Sequence, residues 1–124
     1  MKTLDFHVHL GESLFGYQQD IKSLLENMKK DQIDQAVVIT VHPKDSQLSF
    51  ANDDLAMAIL PHRDHLFGFA RVDPRLGEES EMELERCIKH LGFKGLFLHP
   101  WEETCPVNSE QVKSLMPLAQ KMKI

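Results

Sequence analysis

Asp5-Phe6-His7-Val8-His9-Leu10 is the stretch from which the rest of the chain takes its arrangement. Taken as a β-strand of period two, it sets Asp5, His7 and His9 on one face and Phe6, Val8 and Leu10 on the other. The apolar side gives the strand something to bury while two imidazoles stand together on the opposite side. Unprotonated imidazole nitrogens one strand repeat apart can share a divalent metal ion, so the stretch is read as half of a metal site. A chain with seven histidines can also produce one His-x-His by chance on a solvated edge.

Outward from this strand, strand and helix signals alternate. Gly11-Glu12-Ser13 and Gly16-Tyr17 are expected to form a loop. Asp20 then caps a helix whose apolar positions Ile21, Leu24, Leu25 and Met28 follow helical spacing and which ends near Lys29-Lys30. Ala36 to Val41 is a β-branched run suited to a strand buried on both faces, stopped by His42-Pro43. A second helix is expected around Asn52 to Leu60 with Asn52 as its cap, then a strand from Leu66 to Val72 closed by Asp73-Pro74. Acidic Glu78, Glu79 and Glu81 open a third helix with Leu84, Cys87, Ile88 and Leu91 on its apolar face. Phe93 to His99 is the fourth strand, ended by Pro100. Ser109 to Ile124 is expected to be helical in its second half, with Pro117 restricting any single uninterrupted helix.

Strands starting near Thr3, Gln35, Leu66 and Phe93 recur about every 30 residues, the spacing of βα units on a parallel sheet. The expected fold is α/β: four βα units in a single domain, residues 1–124, equivalent to the first half of a TIM (β/α)8 barrel. In that barrel the chemistry lies at the C-terminal strand ends, where His9, His42, Arg71 and His99 all fall.

Composition narrows the partners. A net charge of -5 without a Lys/Arg cluster argues against a nucleic-acid or anionic-membrane surface, and a small-molecule ligand suits the chain better. Cys87 and Cys105 are not spaced as a redox or zinc-ribbon pair and are expected to be ordinary core or loop thiols. The N-terminus runs from Met1-Lys2 straight into a strand, with no signal segment and no membrane-length apolar run, so a cytoplasmic address is expected.

Three stretches together carry a resemblance: Asp5-Phe6-His7-Val8-His9-Leu10, Gly68-Phe69-Ala70-Arg71-Val72-Asp73-Pro74 and Gly92-Phe93-Lys94-Gly95-Leu96-Phe97-Leu98-His99-Pro100. The sequence resembles the amidohydrolase-related family of metal-dependent hydrolases, of the aminocarboxymuconate-semialdehyde decarboxylase type, over the family's N-terminal half. The resemblance implies a TIM barrel and a divalent metal, usually zinc, that serves hydrolysis or decarboxylation of a small carboxylic acid. His7 and His9 match the family's first two metal ligands. The family's remaining ligands, a histidine after the fifth strand and an aspartate after the eighth, lie beyond Ile124 in the family's order. Two histidines leave a catalytic zinc short of its usual three protein ligands. Relatives often carry lysine where Phe97 stands, and Lys94 has the wrong strand parity to replace it, so a completed site is expected to hold one ion.

Other residues carry two readings each. His99, at the mouth end of its strand, can bond substrate or water at the metal, or simply cap backbone. Arg71 can offer a fork to a substrate carboxylate, or pair with Asp73 or Asp5. Trp101, followed by Glu102 and Glu103, can pack over the mouth. The functional expectation is a metal-dependent hydrolase acting on a small carboxylic acid, amide or ester, with His99 and Arg71 catalytic, His7 and His9 on one zinc, and the site incomplete in this chain. The alternatives are a catalytically inactive, truncated barrel fragment, a decarboxylase completed by a second chain, or a phosphoesterase of the histidinol-phosphatase type. Open outer edges and the inward Phe93 and Phe97 also lead to an expectation of self-association.

Overall fold

The protein is described from Met1 to Ile124 by a computed structural model. The first strand, β1 (Leu4–Glu12), runs two residues past Leu10 and turns back into a two-residue strand, β2 (Gln18–Gln19), in place of the plain loop expected there. Ser13 makes that turn: its Oγ accepts from the Phe15 and Tyr17 N–H groups at 3.2 and 3.0 Å. Helix α1 (Ile21–Lys30) follows as the sequence implies, with the Asp20 carboxylate accepting from Ser23 N at 2.8 Å and Leu24 and Met28 buried.

Strand β3 (Gln35–Thr40) is buried on both faces from Ala36 onward, as its β-branched run requires. Helix α2 (Leu48–Ile59) begins four residues before the expected cap. Asn52 is therefore no cap. It is fully buried inside the helix, where its amide answers both backbone groups of Arg71: Nδ2 donates to Arg71 O at 2.9 Å, and Oδ1 accepts from Arg71 N at 3.3 Å. A buried Asn gains more from these long-range bonds than from a helix end it would expose.

Strand β4 (Leu66–Arg71) leads through a 3-10 turn, Pro74–Leu76, to α3 (Glu78–Lys89), which buries Leu84 and Cys87 completely. Strand β5 (Gly95–Phe97) is shorter than expected. Phe93 stays outside it, its N–H bonded to Cys87 O at the end of α3. Its ring lies in the helix-side core, and a Cβ on Gly68 would stand 2.5 Å from it. The inward placement of Phe93 is thus corrected, because strand parity does not extend to a residue before the strand begins. Helix α4 (Glu110–Met122) is capped by Ser109 and runs through Pro117 without interruption. Pro117 sits on the exposed face, so the Lys113 carbonyl it leaves unpaired can turn to water, while Val112, Leu115 and Ala119 hold the other face.

The sheet order is β2-β1-β3-β4-β5, with β2 antiparallel and all other pairings parallel. The helices cover one side only. Between them and the sheet lies one core, in which Val8, Leu10, Ala36, Val38, Leu66 and Ala70 meet Leu24, Met28, Leu55, Ile59, Leu84 and Leu115. Four parallel strands, each followed by a helix, make the α/β half-barrel that the sequence implies.

Candidate metal centre

The opposite side of the sheet is the interior side, and β1 reaches it by a device that the period-two reading misses. Asp5 stands opposite Ala36 and Val8 opposite Val38, so Phe6 and His7 together oppose the single residue Val37. This is a β-bulge, and it changes parity midway along the strand. Asp5, expected beside the histidines, takes the register of Ala36, a residue of the helix-side core. Phe6, expected in that core, is 62% exposed and packs edge-on against Phe69 at 5.7 Å. His7 and His9 keep the interior face, and the Asp5 carboxylate accepts the His7 N–H at 3.0 Å.

On that face the two imidazoles converge, Nε2 to Nε2 at 2.9 Å. Phe97 of β5 packs edge-on against both rings, at 5.3 Å from His7 and 5.7 Å from His9. Lys94 lies before β5 and is exposed, so Phe97 holds the interior position between the histidines and Arg71. Burial, reinforced by the neighbouring His7, holds His9 below the ordinary imidazole value, while the Thr40 carbonyl pulls the other way. His9 is therefore neutral at neutral pH, with a lone pair to give. Its Nδ1 is buried and has no hydrogen-bond partner.

Arg71 is completely buried at the end of β4. Its Nε donates to Glu103 at 3.0 Å, Nη1 to the Thr40 carbonyl at 3.3 Å, and Nη2 to both Glu102 and Glu103. Neither Asp73 nor Asp5 is its partner; Asp73 pairs with Arg75 instead. The guanidinium lies 5.9 Å from the Phe97 ring, beneath the histidine pair. Sequence reasoning missed the two glutamates as its partners. The available signal was an acidic pair directly after one strand end, with an arginine at the end of the adjacent strand.

His99 stands at the same mouth. Its Nδ1 accepts the Glu102 N–H at 3.2 Å, which leaves Nε2 as the N–H of the neutral ring, 4.0 Å from the Glu102 carboxylate. Burial would raise the Glu102 carboxyl, but the bonds and charge of Arg71 outweigh it and hold it below the usual range. Trp101 and Phe15 close the rim, ring to ring at 5.7 Å. His7, His9, His42, Arg71, His99 and Glu102 line one cavity of about 440 Å³. His62, His65 and His90 lie outside it. No third His, Cys, Asp or Glu joins the histidine pair in a metal-ligating group.

A parallel sheet carrying paired histidines and a lined cavity at its C-terminal strand ends defines a (β/α)8-barrel type of architecture, of which this chain is half. The sequence profile of the amidohydrolases matches residues 4–123, and the chain belongs to that family. Among solved structures, 5-carboxyvanillate decarboxylase from Novosphingobium aromaticivorans, determined with manganese and 3-methoxy-4-hydroxy-5-nitrobenzoic acid, is similar at 18% identity and a TM-score of 0.77, covering 98% of this chain and 49% of its own. A 2,6-dihydroxybenzoate decarboxylase from Rhizobium is similar at 18% identity and a TM-score of 0.75, covering 100% of this chain and 48% of its own. The chain thus spans about half the length of these structures. No curated protein sequence matches it. No helix is long and apolar enough to cross a membrane.

Proposed function

We propose that this chain supplies the β1 half of the metal centre of a metal-dependent amidohydrolase, acting on a small carboxylic acid or its amide or ester. The observation that carries the reading is the convergence of His7 and His9 Nε2 at 2.9 Å on a lined cavity. Two imidazole nitrogens converging on one point suit a divalent ion of the zinc or manganese kind. A bound ion would supply Lewis acidity at this point. Phe97, in place of a charged ligand on the interior face, supports one ion and not two.

In this reading His7 and His9 hold the metal and His99 presents its Nε2–H to the substrate. Arg71 serves less as a substrate fork than as the holder of Glu102, since its donors are already engaged. A second reaction class, decarboxylation, is favoured by the decarboxylases among the similar structures. Two histidines are one short of the three protein ligands usual for a catalytic zinc, and a further polypeptide segment completes the site. The two cysteines, free and buried, suit a cytoplasmic address.

The test is metal content and native mass of the purified chain, with zinc and manganese titrated separately. We expect one ion per site, lost in the His7→Ala/His9→Ala variant with stability changed by no more than about 0.5 kcal/mol, as for side chains outside the packed core. Metal retained at full stoichiometry by the double variant would refute the assignment.

A further inference from the structure

We propose that Asp5 is a positioning residue for the histidine pair: its carboxylate holds the β1 bulge that turns His7 onto the point it shares with His9. The inference rests on the metal-centre reading above and adds a residue to it that touches no metal itself.

The register carries the argument. A strand continuing regularly from the Asp5–Ala36 pairing would set His7 opposite Val38, a residue of the helix-side core. His9 would follow it by parity. Both imidazoles would then face Leu24, Met28 and Leu55, and Val8 would face the interior. The extra residue at Phe6–His7 prevents this. A bulge must dispose of a backbone N–H that falls out of step, and here the His7 N–H goes to Asp5 Oδ1 at 3.0 Å, two residues back. The aspartate side chain closes this local ring with the geometry that Asx turns use, and a glutamate oxygen would stand one methylene further out. No other hydrogen bond or ion pair engages the Asp5 carboxylate. It borders the same cavity as the histidines from the β1 edge, beside Asn27 and Asp31 at the end of α1.

A length-and-charge pair of variants separates this role from a merely electrostatic one. Asp5→Asn keeps an acceptor at the same atom and removes the charge. Asp5→Glu keeps the charge and moves the oxygen one methylene away. The probes are manganese alone and zinc alone, titrated calorimetrically into the full chain, with circular dichroism to verify the fold. We expect Asp5→Asn to bind within about threefold of wild type and Asp5→Glu and Asp5→Ala to bind about 10–100-fold more weakly, the range for residues that orient ligands.

The second readout needs no metal. The His7 and His9 ring centroids lie 4.9 Å apart, within reach of a ring-to-ring nuclear Overhauser effect in the metal-free protein. That signal should persist in Asp5→Asn and vanish in Asp5→Glu. The opposite order, with Asp5→Glu behaving as wild type and Asp5→Asn impaired, would overturn the proposal, as would an unchanged ring contact in Asp5→Glu. If the wild type binds neither ion, the metal reading fails while the ring contact still decides the role of Asp5.

Discussion

The two sides of the sheet are built on opposite terms. On the helix side, Val38, Ala70, Leu84 and Cys87 have essentially no exposure, and Phe93 is packed against a glycine chosen to admit it. On the interior side Phe6 is mostly exposed, His7 is exposed, and the packing consists of separate edge-on aromatic contacts, Phe6 with Phe69 and Phe97 with both histidines. Stability therefore resides mainly with the helices, while the candidate chemistry sits on the other face of the same strands. The lesson is that the residues of the candidate centre can be altered at little cost to the fold, with one exception. Arg71 belongs to the interior side by register and yet is wholly buried.

That exception should produce the largest effect. Arg71→Met leaves Glu102 and Glu103 without their shared cation, and we expect a loss of about 3–5 kcal/mol in denaturant unfolding. A change below 1 kcal/mol would mean that the interior side is soft throughout. Leu84→Ala tests the helix side directly, with an expected loss of about 3 kcal/mol for an aliphatic side chain in a closed core and unchanged metal affinity in the folded fraction. Coupled loss of both would break the separation of the two sides.

The smallest effect lies on the helix-side surface and depends on pH. Burial would raise the Glu83 carboxyl, but Arg86, Asn52 and Cys87 all donate to it and hold it below the ordinary value. A carboxylate with a depressed folded value contributes stability above its unfolded value, near 4.5, and loses it as pH falls through the folded value. Glu83→Gln should therefore lower stability at neutral pH by about 1 kcal/mol and flatten the acid limb of the stability profile. An acid limb identical to wild type would remove Glu83 from the network.

Much of the helix side was legible because its signals are local. Asp20 with Ser23, the apolar spacing of α1 and α3 and the β-branched run of β3 each act within a few residues. What escaped the sequence depends on distant partners or on one inserted residue. Nothing marks Phe6–His7 as a bulge, since no glycine or proline stands there, and so the parity of Asp5 and Phe6 comes out reversed while that of His7 and His9 survives. Asn52 looks like a cap because its partners, Arg71 and Glu83, are 19 and 31 residues away. The candidate site was legible as to its paired histidines, and His99 does stand at the mouth. The engagement of Arg71 by Glu102 and Glu103 was hidden, because a loop's path over a strand end has no periodic signature.

Trp101 is the only tryptophan of the chain. Its indole is 71% exposed, stacked near Phe15 and 6.4 Å from the His99 ring. The protein thus carries a single native indole at the rim of the cavity, and all emission excited at wavelengths that tyrosine does not absorb originates there. A ligand entering the cavity changes the polarity and quenching around that one ring, so events at the mouth register as intensity and wavelength shifts without any label.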